Sequence, residues 1–286
     1  MEISGNTGFA CLLGSPVAHS SSPAMHNLSF ELNNLDYRYL AFDITPDRLK
    51  YAVEGLKELK CLGFNLTMPL KKDILPLLDE ISEESKLCEA VNTVLIKDNR
   101  LYGTTTDGIG FFDSLKFEEN LDLKGKSMVL LGAGGGAANA IAAEGALNLL
   151  TSLSIFRRKN ERWNETAEFV DKLNQKSNCR ISLFDINDLS SLKSEVSKSE
   201  VVCNATNVGM GNDINTPIPK EVLSSSVHVA DIIYHPETTT LMKESREMGC
   251  TASNGKYMLL YQGAASFNIW TGKKMPVAEV KAKVFS

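Results

Sequence analysis

The stretch from Lys126 to Ala146 constrains the fold more tightly than any other part of the chain. A short apolar run, Met128 to Leu131, stops at Gly132, and a proline-free, Ala-rich segment follows at once. This reads as a strand, a glycine turn and a helix. The spacing Gly132-x-Gly134-x-x-Ala137 is the dinucleotide-binding fingerprint with Ala in the last place. Gly132 permits the tight turn, Gly134 lets backbone N–H groups approach a pyrophosphate, and Ala137, Ala138 and Ala140 let the helix sit close on the strand. A phosphate is expected at the helix N-terminus, where unpaired N–H groups and the helix dipole favour an anion. A glycine-rich turn can also bind nothing, and the strand before it with the helix after it carries the expectation.

A regular βα alternation continues from there. Leu153–Phe156, Arg180–Phe184, Val201–Asn204, Val229–Ile232 and Thr251–Ser253 read as strands with helices between them, completing a six-stranded doubly wound set. About 20 residues past the glycines, an NAD-preferring site places an acid on the ribose hydroxyls. Here that place holds Arg157-Arg158-Lys159-Asn160. Guanidinium groups suit a 2′-phosphate through forked, charge-assisted hydrogen bonds, which predicts NADP. A solvated basic loop is the alternative reading.

Upstream, Phe9–Leu13, Tyr37–Ile44 and Cys61–Leu66 read as strands separated by helices, implying parallel right-handed crossovers. Ser22 before Pro23 reads as an N-cap with proline at the first helical position. Ser20 and Ser22 at such an N-terminus would also cradle a carboxylate. Past Lys71 and Lys72, which are solvated charges on the default reading, a helical stretch runs through Leu78 and another spans Ser82–Cys88. Ala90–Ile96 and Leu101–Thr104 form a hairpin around Asp98-Asn99. Asp107 reads as the cap of the next helix. Near the end, Met258–Thr271 reads as an amphipathic helix and Pro276 as the start of a last one.

A length of 286 residues suggests two domains, and a net charge of −5 with pI near 5.5 argues against a nucleic-acid partner, which needs a basic face. The six cysteines are scattered without metal-ligand spacing, so no metal site and reduced thiols are expected. With no signal-like start and no bilayer-length apolar run, a cytoplasmic protein without a membrane partner is expected.

In order along the chain stand His19-Ser-Ser-Ser-Pro23, Asn65-Leu-Thr-Met-Pro-Leu-Lys71, Ala90-Val-Asn-Thr93, Thr106-Asp-Gly108, the glycine loop, Asn204-Ala-Thr206, Asp231-Ile-Ile-Tyr234 and Gln262. In these eight motifs the chain resembles the shikimate dehydrogenase family, its quinate/shikimate branch included, over nearly its whole length. The resemblance implies an α/β protein, with an open α/β substrate domain over residues 1–107, completed by 256–286, and a Rossmann-type NADP-binding domain over 108–255. It implies Lys71 and Asp107 at the reacting centre and Ser20 and Ser22 on the substrate carboxylate. Asn92, Asp107 and Gln262 are then expected on ring hydroxyls, with Thr67 and Tyr234 nearby. On the cofactor it implies Gly132, Ala133, Gly134, Gly135, Gly136, Arg157, Arg158, Lys159, Thr206 and Gly255.

The implied activity is reversible reduction of 3-dehydroshikimate to shikimate with NADP, in a monomer or homodimer. Several residues depart from the family pattern: Thr105 and Arg157 where Asn is usual, Lys159 for Thr, His235 for Asn, and Tyr257 for the second Gly of Asn254-Gly-Lys-Tyr-Met258. The alternatives are a quinate/shikimate dehydrogenase accepting NAD or NADP, and a non-catalytic ligand-binding relative. A methyltransferase is disfavoured by the basic residues where it needs an acidic ribose ligand.

Overall fold

The computed structural model describes residues 2–285. It divides into two compact units, Met1–Gly110 with Leu260–Ser286, and Phe111–Leu259.

In the first unit, β1 (Gly8–Gly14) carries the continuous apolar run Ala10–Leu13, buried on both faces as the strands of a covered parallel sheet are. It pairs in parallel with β2 (Tyr37–Asp43) on one side and β3 (Gly63–Leu66) on the other, with α1 (Ser22–Leu32) and α2 (Leu49–Glu58) as crossovers. The sheet continues through antiparallel β5 (Thr93–Lys97) and β6 (Arg100–Thr104) to a two-residue edge strand β4 (Glu80–Ile81), in the order β2-β1-β3-β5-β6-β4. Asp98 and Asn99 both have positive φ, 51° and 59°, which the primed two-residue hairpin turn requires. Between β3 and β4 the expected helix through Leu78 is only turns and one short 3₁₀ segment, Leu75–Leu77. Helix α3 (Glu83–Cys88) follows β4, capped by the Ser82 hydroxyl accepting from the Ser85 N–H at 3.3 Å.

Two helix readings need correction. The N-cap of α1 is Ser21, without a side-chain cap bond, and Ser22 is the first helical residue. Pro23 tolerates either place because no N–H is needed anywhere in the first turn. Helix α9 (Lys256–Thr271) is not amphipathic: of its residues only Asn268 is exposed. Within the first unit its Leu260–Thr271 part lays Phe267 against Phe30, with ring centroids 5.3 Å apart, and donates the Trp270 indole N–H to the Val94 carbonyl at 3.0 Å. A helix hydrophobic on most sides is a buried one. Helix α10 (Val277–Val284) closes the chain after Pro276.

The second unit begins within α4 (Asp107–Glu118). Its six strands are all parallel, in the order β12-β11-β10-β7-β8-β9. These are β7 (Ser127–Leu131), β8 (Ser152–Arg157), β9 (Arg180–Asp185), β10 (Val201–Asn204), β11 (His228–Asp231) and β12 (Thr251–Ser253). Helices α5 (Gly136–Glu144), α6 (Trp163–Lys176), α7 (Leu189–Val196) and α8 (Thr240–Glu247) connect them. Val129, Leu131, Phe156, Val202, Val229 and Leu192 form one core on this sheet. The strand order reverses between β7 and β10, so a ligand crevice is expected at their C-terminal ends.

Candidate active site

At the C-terminal ends of the first unit's strands, a lysine and an aspartate meet. Lys71 leaves β3 on a turn pinned by its own carbonyl, which accepts from the Val91 N–H at 2.9 Å. Asp107 opens α4. Its carboxylate does not cap the helix, as the sequence suggests; Oδ2 pairs with the Lys71 ammonium and Oδ1 accepts from Asn92 Nδ2 at 2.7 Å. The Asp107 side chain is 8% exposed and that of Lys71 21%, so the pair sits at the edge of the interior with Lys71 its more exposed member.

Asn92 is the hub. Its Nδ2 also reaches Thr106 Oγ1 at 3.0 Å and Gln262 Oε1 at 3.2 Å, while its Oδ1 accepts from the Thr106 N–H at 2.8 Å. Behind it lies a second tier that the sequence does not single out. Asn65 Nδ2 lies within 3.0–3.1 Å of the Asn92 carbonyl, Thr93 Oγ1 and Ser266 Oγ, and Asn65 Oδ1 accepts from the Tyr39 hydroxyl at 2.7 Å. Every one of these side chains is buried, where a satisfied network is rigid and an unsatisfied one costly. Burial pushes the adjacent Cys88 thiol up to about 12, and the Asp107 charge acts in the same direction.

Lys71, Asp107, Asn92 and Gln262 are thus brought into one constellation. Ser20 and Thr67 lie in the loops after β1 and β3, and Ser22 opens α1 at the end of the first loop; the two loops run side by side, with the Ser15 N–H donating to the Met68 carbonyl and the Thr67 N–H to the Leu13 carbonyl, both at 3.0 Å. The Ser20 hydroxyl accepts from the Ser22 N–H at 3.2 Å. Among the described residues no direct hydrogen bond joins these three hydroxyls to the Lys71–Asp107 pair.

The second unit carries a groove of about 720 Å³ at the β7/β10 crevice, lined by Gly132–Gly135, Arg157, Arg158, Arg162, Asn187, Thr206 and Asp213 among others. Gly132 and Gly134 take φ of +93° and +91°, and a Cβ on Gly132 would meet the Thr206 methyl at 2.7 Å, so neither position accepts another residue without strain. A Cβ on Gly135, at the N-terminus of α5, would meet nothing within 4 Å, leaving that edge open to a ligand. Gly136 is the first residue of α5. The Thr206 hydroxyl is held by Asn204 Oδ1 at 2.7 Å. Three arginines, the glycine loop and a helix N-terminus fit an anionic dinucleotide.

The basic residues are not equivalent. Arg158 lines the groove and is exposed. The Lys159 ammonium instead sits 5.7 Å from the Trp163 ring centroid and does not line it. Arg162, which the sequence reading passes over, lines the groove, donates to the Gly134 carbonyl at 3.1 Å and pairs with Glu165. Arg157 is buried; burial first, then the Arg162 charge, lowers its pKa. Tyr234 is half exposed in the loop after β11. Gly255 answers a packing demand, since a Cβ there would fall 2.0 Å from the Ile232 carbonyl oxygen. Among the described residues no cluster of His, Cys, Asp or Glu could hold a metal ion, and all six cysteines are free and buried.

Comparison with known proteins places this architecture. A family model described as the shikimate dehydrogenase substrate binding domain matches residues 12–94, and one described as the shikimate 5′-dehydrogenase C-terminal domain matches 257–285. A shikimate dehydrogenase (NADP(+)) from Listeria innocua is 41% identical over 99% of this chain and 98% of its own. The crystal structure of a shikimate 5-dehydrogenase from Listeria monocytogenes, in complex with shikimate and NAD, is 40% identical with a TM-score of 0.93, covering 99% of this chain and 98% of that one. A quinate dehydrogenase from Corynebacterium glutamicum in complex with NAD is 26% identical with a TM-score of 0.82, covering 98% of each chain. With its motifs in register and full-length identity of this order, the chain belongs to the shikimate dehydrogenase family.

Proposed function

We propose that this protein catalyses the NADP-dependent, reversible reduction of 3-dehydroshikimate to shikimate, with Lys71 and Asp107 at the reacting centre. The observation that carries the reading is the Lys71–Asp107 pair, locked by Asn92 into a buried polar network while the Lys71 side chain stays partly exposed. We assign residues 1–107 with 256–286 to the substrate and 108–255 to the nucleotide. A nicotinamide cofactor bound to the glycine loop supplies the two-electron redox chemistry.

The chain's own residues handle binding and the proton. Lys71 Nζ donates to the ketone oxygen, first polarising the carbonyl and then delivering the proton as that oxygen becomes a hydroxyl; in the reverse direction it takes the proton back. Asp107 holds the ammonium in place and accepts from a ring hydroxyl. Asn92 and Gln262 bind further hydroxyls, with Thr67 and Tyr234 beside them. Ser20 and Ser22, at the start of α1, receive the carboxylate. In the second unit, Arg158 and Arg162 flank the groove as the cations for the 2′-phosphate that distinguishes NADP, and Thr206 and Gly255 border the nucleotide path. The proposed setting is the cytoplasm, as a monomer or homodimer; no described helix is long and apolar enough to cross a membrane.

The test follows nicotinamide absorbance on the purified protein with shikimate and quinate, each offered NADP and NAD. Shikimate turnover preferring NADP supports the proposal. Quinate turned over much faster than shikimate, or a clear preference for NAD, overturns the substrate or cofactor assignment. No turnover in any combination favours a ligand-binding protein without catalysis.

A further inference from the structure

Arg157 ends β8 in the groove wall, where the sequence suggests a ligand of the 2′-phosphate, but its guanidinium is taken up by partners within the protein. Nη1 donates to the Ala133 carbonyl at 3.3 Å and to Thr166 Oγ1, and Nη2 donates to Asn160 Oδ1 at 3.1 Å. The residue is nine-tenths buried, and its Nε lies buried without a partner. Arg162 reaches the same loop from the outside, donating to the next carbonyl, that of Gly134. A Cβ on Gly134 would lie 3.2 Å from Arg157 Nη1 and 3.5 Å from Arg162 Nη2. The bare face of this glycine therefore accommodates two guanidinium groups.

Gripping these carbonyls has a consequence for the ligand side. A peptide unit is planar and trans, so fixing a carbonyl fixes the N–H that follows it on the opposite side. With the Ala133 and Gly134 carbonyls held by arginines, the N–H of Gly134 is directed to Asn139 Oδ1 at 2.8 Å, and that of Gly135 points away from Arg162 at the mouth of α5. We infer that Arg157 is a positioning residue for the nucleotide, a strut that sets the shape of the Gly132–Gly135 loop from inside, and not a ligand of the 2′-phosphate. This rests on the nucleotide reading proposed above. Because the pyrophosphate and its loop are common to NAD and NADP, the strut serves both cofactors alike.

The experiment measures dissociation constants of the full chain for NADP and NAD by calorimetry, and the Michaelis constants for nucleotide and shikimate, in the wild type, Arg157→Met, Arg157→Lys, Thr166→Val and Arg158→Met. Arg157→Met is expected to weaken both nucleotides by a similar factor, roughly tenfold, the scale of losing a charge-assisted hydrogen bond, with the shikimate Michaelis constant unmoved. Arg157→Lys recovers little, because an ammonium cannot bridge three acceptors as a guanidinium fork does. Thr166→Val removes an acceptor on α6 that does not line the groove. It should weaken both nucleotides by less, and it decides the matter if Arg157→Met fails to fold. Arg158→Met weakens NADP alone. Arg157→Met weakening NADP alone, or leaving both unchanged, overturns the inference, as does an Arg157→Lys protein that binds like the wild type. A wild type that binds neither nucleotide overturns the nucleotide reading itself.

Discussion

Replacing Asp107 with Asn keeps the shape of the side chain and removes its charge. The structure fixes what is lost: the counter-ion of an ammonium whose side chain is four-fifths buried, while the acceptor for Asn92 survives in the amide oxygen. Removing one member of a fully buried ion pair costs about 3–5 kcal/mol, and contact of Lys71 with solvent reduces this to roughly 2 kcal/mol. At about 2–4 °C per kcal/mol for a chain of this size, the unfolding midpoint falls by about 4–8 °C. The loss in turnover is larger, on the order of 10²- to 10⁴-fold, because the carboxylate that positions the proton-transferring ammonium is gone. Shikimate oxidation by Asp107→Asn, Lys71→Met and the double variant, with thermal unfolding of each, is the assay. Since the pair acts as a unit, the double variant should be about as slow as the slower single one. Turnover of Asp107→Asn within tenfold of the wild type, or losses that multiply in the double variant, would refute the reasoning.

Other consequences can be measured independently. Burial lowers the pKa of His26 to about 3 and that of His228 to about 4, while an unfolded histidine titrates near ~6.5. The unfolded chain therefore takes up protons that the folded chain refuses; stability contributed by these residues is intact above that pH and drains away as pH falls toward 4 and then 3. The slope approaches about 1.4 kcal/mol per pH unit per histidine, and denaturant titrations across this range should find it flattened in His26→Phe. Gly255→Ala places a methyl 2.0 Å from the Ile232 carbonyl oxygen and should cost at least about 2 kcal/mol in the same titration. Ser266→Ala removes a partner of Asn65 and Thr93 and should lower stability by about 1–3 kcal/mol together with turnover; unchanged turnover would show that the second tier does not position Asn92.

The second unit was legible because glycine spacing and short apolar runs are local signals, and strand existence follows from them with little help from the rest of the chain. The hairpin at Asp98-Asn99 was legible for the same reason. What escaped depends on contacts remote in sequence. Asp107 at a helix start reads as a cap, because nothing local shows that Lys71, 36 residues earlier, claims its carboxylate. Arg157 and Lys159 read as groove residues from position alone; Arg157 does line the groove, but Ala133, Asn160 and Thr166 take up its guanidinium, and the Trp163 ring captures Lys159. Arg162 was hidden behind the start of α6, although its place one turn beyond the basic cluster is a usable signal. Asn65, Thr93 and Ser266 look like ordinary polar residues of two strands and a helix, and their meeting is a property of sheet order. β4, two residues long, has no period to detect.

The central claim is that Lys71 moves the proton and does not merely hold the substrate. The measurement that tests it most directly compares the wild type with Lys71→Ala in two readouts, the initial rate of NADP reduction by shikimate and calorimetric binding of shikimate. The account predicts a rate at least ~10²-fold lower with binding largely retained. A Lys71→Ala protein that still turns over near the wild-type rate, or one whose rate loss is matched by an equal loss of binding, would contradict it.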